Sequence, residues 1–168
     1  MSDKDLIIIG NTEWCSFESL SLPAIKARVD SGAKTSSIQA NNIKKVTRRG
    51  EQYVQFEVNP IQDNRSVSIE CIAKIYDTRI IRTSSGIAQK RYVIKVPVKL
   101  GNQVFDVELS LANREAMEHR MLLGREAMVN RFIVNPSLEN VLGNISDEQI
   151  LDYYGNLMHE KSGLTIGL

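Results

Sequence analysis

The chain has 168 residues, 42% hydrophobic and 24% charged, with 21 Lys and Arg against 20 Asp and Glu. This is the make-up of one ordinary globular domain, long enough to bury a real core. The net charge of +1 excludes a nucleic-acid binder that works by bulk positive charge and a disordered acidic tail.

The longest apolar run near the N-terminus is Leu6-Ile7-Ile8-Ile9. It is too short to cross a membrane, which takes about 20 residues, or to form the apolar core of a signal peptide, about 7–15 residues. A cytoplasmic protein with no membrane partner is therefore expected. Short strands are expected over residues 6–10 and 25–29. Val54, Phe56 and Val58 alternate with polar residues, which predicts a strand with one buried and one wet face. A loop over 59–64 and a short strand over 67–73 follow.

Ser84-Ser85-Gly86 marks a further loop. Ile94, Val96, Val98 and Leu100 then alternate with Lys95, Pro97 and Lys99, and Phe105, Val107, Leu109 and Leu111 with Asp106, Glu108 and Ser110. Gly101-Asn102 between these two runs is a two-residue hairpin signal. Pro97 cannot donate to a ladder, which puts its strand at an edge or a bulge. A short strand over residues 121–123, a short helix over 125–129 and a loop at Asn135-Pro136 come next. Ser146-Asp147-Glu148-Gln149 has the form of a capping box. Behind it Ile150, Leu151, Tyr154, Leu157 and Met158 make one apolar helical stripe, with Gly163 as terminator. The class is mainly β, a small barrel or sandwich with helical trim at its C-terminal end.

The two cysteines, Cys15 and Cys71, lie far apart and read as reduced, buried thiols. With His119 and His159 they make four soft or borderline metal ligands, none in a short ligand pair. No metal and no cofactor is expected. His119 and His159 read as surface residues, and Trp14 as core or interface. Residues 1–100 hold 16 Lys and Arg against 10 Asp and Glu, and residues 101–168 hold 5 against 10. This is either scatter between solvated faces or a basic face for an anionic ligand.

Chemistry concentrates in Ala27-Arg28-Val29-Asp30-Ser31-Gly32-Ala33. A strand ends and a carboxylate follows at once, with a hydroxyl and a glycine that lets the backbone turn. Alone this is a common turn sequence. Some 90 residues on, Met121-Leu122-Leu123-Gly124-Arg125 sets a hydrophobic strand before a glycine and a helix. The pair resembles the retropepsin-like aspartic peptidases. More narrowly, the chain resembles the bacterial family known as ATP-dependent zinc proteases, associated with RimK-type glutamate ligases. That resemblance rests on Gly10-Asn11-Thr12-Glu13-Trp14-Cys15, on residues 23–37, on residues 113–117 and on Arg120-Met121-Leu122-Leu123-Gly124-Arg125, and covers about residues 6–140.

The resemblance implies a closed, retropepsin-like β-barrel over residues 1–145, with 146–168 as a C-terminal helical extension. It implies Asp30 as the catalytic residue in a loop with Ser31, Gly32 and Ala33, supported by Leu123, Gly124 and Arg125. Residues 78–92, with Ser84, Ser85 and Gly86 at their centre, stand where the flap would be. Lys26 and Arg28 are either a solvated face or contacts to an acidic substrate. Three departures stand out. Gln39 replaces a common histidine, Lys34 occupies a position that is acidic in viral relatives and pairs there with the Gly-Arg arginine, and Ser31 replaces threonine.

Aspartic peptidase chemistry needs two carboxylates close enough to share a proton. One Asp-Ser-Gly occurs per chain, so a homodimer must supply the second. The association with glutamate ligases suggests glutamate-rich peptides or protein tails as substrate, and a functional link to an ATP-grasp glutamate ligase. No Walker A motif is present, so ATP would act through another protein. Two other readings stay open: a zinc-dependent protease, and a non-catalytic module on the same barrel that binds acidic peptide or a partner.

Overall fold

Strand periodicity is what the tertiary structure builds on. The structure, a computed structural model, describes residues 5–62, 64–82, 85–113 and 118–161, the last six by backbone alone. Its elements are β1 (Ile7–Ile9), β2 (Thr12–Phe17), β3 (Leu22–Val29), β4 (Ser36–Gln39), β5 (Asn41–Arg48), β6 (Glu51–Val58), β7 (Ile69–Lys74), β8 (Asp77–Arg82), β9 (Ala88–Leu100), β10 (Gln103–Ala112), β11 (Met121–Leu123), α1 (Arg125–Met128), β12 (Phe132–Val134) and α2 (Asp147–Lys161).

Six strands close on themselves in the order β10-β4-β11-β3-β2-β9, with β9 pairing back to β10. Closure leaves no edge within the ring. β8 pairs along the first half of β9, so β8 and β9 form a hairpin. A separate sheet has the order β5-β6-β7, and β1 runs parallel to β12.

The alternating runs bury the expected faces: Ile94, Val96, Val98 and Leu100 point into the core while Lys95, Pro97 and Lys99 are exposed. Pro97 lies between Val93, where pairing with β8 ends, and Lys99, where β2 joins. Its missing N–H therefore costs little. Gly101 takes φ +57 in the two-residue turn that sets Leu100 opposite Gln103, as the first position of a tight hairpin requires. The strand over 94–100 is longer than its apolar run and begins at Ala88. The strand expected over 6–10 is Ile7–Ile9, and that over 67–73 is Ile69–Lys74.

Five strands escape the periodicity. β4 buries all four residues, three of them polar, and β2 buries residues on both faces. β5 carries a register shift between Asn41 and Lys44 that breaks period two. β8 is mostly exposed, and β12 has three residues.

At the C-terminal end the capping box closes as expected. Ser146 N–H donates to Gln149 Oε1 at 3.0 Å and Gln149 N–H to Ser146 Oγ at 3.1 Å. Ile150 and Tyr154 are buried. The Tyr154 hydroxyl accepts from Ala24 N–H at 3.2 Å and donates to Ala24 O, and burial pushes its phenol pKa up. Leu151, expected in the same stripe, is exposed. It lies about 100° round the helix from Ile150, away from the line that meets β3. Gly163 and the side chains of Leu157, Met158 and His159 lie outside the described residues.

The segment Gly10-Asn11-Thr12-Glu13-Trp14-Cys15 is a clasp. Glu13 is fully buried, and its carboxylate accepts from Gly10 N–H at 2.7 Å and from Val141 and Leu142 N–H at 3.0 Å each. A Cβ on Gly10 would stand 2.4 Å from the Leu138 carbonyl oxygen, so only glycine fits there. Trp14 is half-buried against the core, and its Nε1 points at Asn144 Oδ1, 3.5 Å away. Cys15 and Cys71 are buried free thiols. Burial, and then the charge of Glu13, pushes the Cys15 thiol up and keeps it protonated.

Candidate active site

β3 delivers Asp30 to one end of the barrel. β11 runs parallel beside it, with Ala27, Arg28 and Val29 opposite Met121, Leu122 and Leu123. The two segments singled out in the sequence are thus neighbours. Asp30 N–H donates to Leu123 O at 2.9 Å, which fixes where the loop leaves the sheet. Asp30 Oδ1 then accepts from Gly32 N–H at 3.0 Å, and Asp30 O from Ala33 N–H at 3.3 Å. The carboxylate caps its own turn with one oxygen. Oδ2 makes no hydrogen bond among the described residues. Asp30 is half-buried, and Ser31 and Gly32 are exposed.

The Gly124-Arg125 segment braces this loop from below. Arg125 N–H donates to Ala33 O at 2.7 Å and Glu126 N–H to Lys34 O at 3.1 Å. Gly124 N–H donates to Ser36 Oγ at 2.9 Å. The Arg125 guanidinium donates to Ser31 O at 2.9 Å. With Lys34 at the position that is acidic in viral relatives, Arg125 holds a loop carbonyl instead of a carboxylate. A Cβ on Gly124 would lie 2.6 Å from the Thr35 carbonyl carbon and 2.8 Å from Ser36 N. Those are backbone atoms that cannot swing aside. Gly124→Ala is therefore expected to destabilise the protein by about 1–3 kcal/mol and to displace the loop. Urea unfolding followed by fluorescence measures the first effect, and hydrogen–deuterium exchange of the Asp30 loop amides the second.

The remaining expected residues are spread out. Lys26 lines a recess of about 440 Å³ with Trp14 and His119, its ammonium 5.8 Å from the Trp14 ring centroid. Arg28 is exposed. The segment over 78–92 is indeed a hairpin, with Arg82 opposite Ala88. Of its tip, Ser84 lies outside the described residues, Ser85 is exposed, and Gly86 has φ +82 and accepts from Arg82 at 3.4 Å. Gln39 is buried, and its Oε1 accepts from the buried Arg120 guanidinium at 2.7 Å. A histidine there would instead meet a cation. Among the described residues no three His, Cys, Asp or Glu side chains converge as metal ligands.

Between the Ala33-Lys34-Thr35 loop and β8 lies a groove of about 920 Å³. Ser37 and Ser110 lie side by side on its floor, paired across β4 and β10. Its walls carry Lys34, Arg79, Arg82 and Arg91 against Glu108 and Glu126. Arg79 donates through Nε to Asp77 Oδ2 at 2.7 Å and through Nη2 to Glu108 Oε1. The bond from Arg79 holds the Asp77 carboxyl below its usual pKa, and Glu108, then Asp77, push Arg79 up. Sequence reasoning missed these arginines. The available signal was three arginines within the expected flap, at 79, 82 and 91.

A closed six-stranded barrel that presents an Asp-Ser-Gly-Ala loop, braced by a Leu-Gly-Arg segment, defines the retropepsin-like class. The chain belongs to the RimB-like family, described as retropepsin-like aspartic endopeptidase RimB, which it matches over residues 8–144. It is 52% identical over 161 residues to a probable alpha-L-glutamate ligase of Desulfotalea psychrophila, covering 96% of this chain and 35% of that protein. It is 51% identical over 168 residues to a protein of the same name from Shewanella pealeana, covering all of this chain and 36% of that one. The chain thus spans about a third of the length of these curated relatives. A crystal structure of a Legionella pneumophila protein with unknown function superposes with a TM-score of 0.67 at 26% identity, covering 81% of this chain and 98% of that one. No helix among the described residues is long and apolar enough to cross a membrane.

Proposed function

We propose that this chain is a homodimeric, cytoplasmic aspartic endopeptidase acting on glutamate-rich peptides or protein tails. The observation that carries the reading is the Asp30 loop: a carboxylate half-exposed at the end of a strand, one oxygen engaged in the turn, and the loop pinned from beneath by Leu123, Gly124 and Arg125. Two such loops facing each other across a two-fold axis would bring two carboxylates into hydrogen-bond range. Like charges that close cannot both ionise, so the pair holds one proton. The ionised carboxylate takes a proton from water as its oxygen attacks the peptide carbonyl. The protonated carboxyl donates to the carbonyl oxygen. The resulting tetrahedral species breaks its C–N bond, the amine nitrogen takes up a proton, and the products are an acid and an amine.

The basic groove beside the loop supports an acidic substrate, and so do relatives named for glutamate ligation, whose product such a peptidase would cut. Ile80 and Ile87, both strongly exposed on the hairpin, suit a flap that closes over peptide. Because each active site needs two chains, cleavage of a hexaglutamate peptide per milligram of protein should rise with protein concentration and then level off. Sedimentation should place the dimer in the same range. A specific activity independent of concentration, from a protein that sediments as a monomer, would rule out the shared dyad.

A further inference from the structure

Arg79 and Arg91 stand directly opposite each other on β8 and β9. Like charges at opposed positions destabilise a sheet, so the pair needs anions close by. Asp77 and Glu108 meet that need in different ways. Asp77 lies two residues away on the same strand, accepts from Thr78 N–H at 2.8 Å, and takes the Nε edge of Arg79. It aims the guanidinium. Glu108 reaches Nη2 from β10, two strands away, and lines the groove itself next to Ser110. Both side chains of the Arg79–Glu108 pair are only about a third exposed or less, 31% and 26%. That charge pair is screened less than a surface one.

We propose that Arg79 is the residue that reads an acidic side chain of the substrate, and that Glu108 is an internal stand-in for that side chain. The proposal rests on the acidic-peptide reading above and goes beyond it by naming the residue and its competitor. An arginine fork binds a carboxylate with two parallel N–H donors. With Nε held by Asp77, the Nη edge is oriented for a carboxylate arriving along the groove, and Glu108 holds that edge. A substrate glutamate must displace it, exchanging one carboxylate for another on the guanidinium. A neutral peptide cannot make the exchange, because it would leave Glu108 displaced and the Nη edge of a partly buried arginine without a carboxylate, Asp77 holding Nε alone. Glu108 thus sets a threshold that favours acidic side chains and lowers affinity for all of them.

The experiment measures binding of fluorescein-labelled hexaglutamate to the full chain carrying Asp30→Asn, so that nothing is cut, with hexaglutamine as control. Adding Glu108→Gln should tighten hexaglutamate binding about fivefold or more and weaken discrimination against hexaglutamine. Adding Arg79→Gln should weaken hexaglutamate binding about tenfold, and Arg79→Lys, which keeps the charge without the fork, should fall between. Thermal unfolding of each variant confirms a folded protein. If Glu108→Gln weakens binding as Arg79→Gln does, or leaves it unchanged, the pair is a strut between hairpin and barrel and the proposal fails. If the unmodified chain cleaves hexaglutamate while this pattern is absent, the proposal alone falls. If the unmodified chain neither binds nor cuts hexaglutamate, the acidic-substrate reading falls with it.

Discussion

Asp30→Asn is expected to abolish hydrolysis of a glutamate-rich peptide while the fold stays intact. Asn is nearly isosteric, and its side-chain oxygen can still accept the Gly32 N–H bond that Oδ1 accepts at 3.0 Å. The brace from Leu123, Gly124 and Arg125 acts on backbone atoms and on Ser36, and it does not depend on the charge. What is lost is the group that can take a proton from water. General acid–base catalysis is worth roughly 10²–10⁴-fold, and in the proposed mechanism the dyad would also hold the attacking water, so the loss should lie at or beyond the upper end. Dimerisation should persist or strengthen, because one source of like-charge repulsion is gone. The measurement is cleavage of hexaglutamate by both proteins over a range of pH, with sedimentation as the control. Cleavage at the undiminished rate would remove Asp30 from the chemistry. Binding without cleavage by either protein would favour the non-catalytic module.

Glu13→Ala should be the most damaging substitution away from the active site. Three backbone N–H groups, from Gly10, Val141 and Leu142, converge on one fully buried carboxylate. Truncation leaves all three without their acceptor, and each unmade buried bond costs about 1–3 kcal/mol. A total loss of about 3 kcal/mol or more is expected, a large share of a typical domain stability of about 5–15 kcal/mol. Glu13→Gln should lose less, since one side-chain oxygen still accepts. Urea unfolding of the three proteins checks the order. The clasp also bears on the site. Val29 N–H donates to Asn11 O at 2.8 Å, so loosening the start of β2 loosens the strand that presents Asp30.

Several features of this protein were legible from the chain because they are local. Period two set the buried faces of β6, β9 and β10, since alternate side chains of a strand must point to opposite sides. Gly101-Asn102 marked a turn that needs φ above zero at its first position, and Ser146 with Gln149 marked a helix start. The Asp30 loop and its Leu123-Gly124-Arg125 support could be paired because each is a contiguous motif.

Other features exist only once distant segments meet. β4 carries no apolar alternation, and only neighbours from β10 and β11 make a buried place for its polar residues. Nothing local in the sequence marks Glu13 as buried; residues 141 and 142, far along the chain, bring their N–H groups to it. The same holds for Arg125 and the Ser31 carbonyl, for Gln39 and Arg120, and for Arg79 and Glu108. A strand's period follows from the geometry of consecutive residues. The partner of a buried charge follows from sheet register and barrel closure, which bring together side chains that no sequence spacing links.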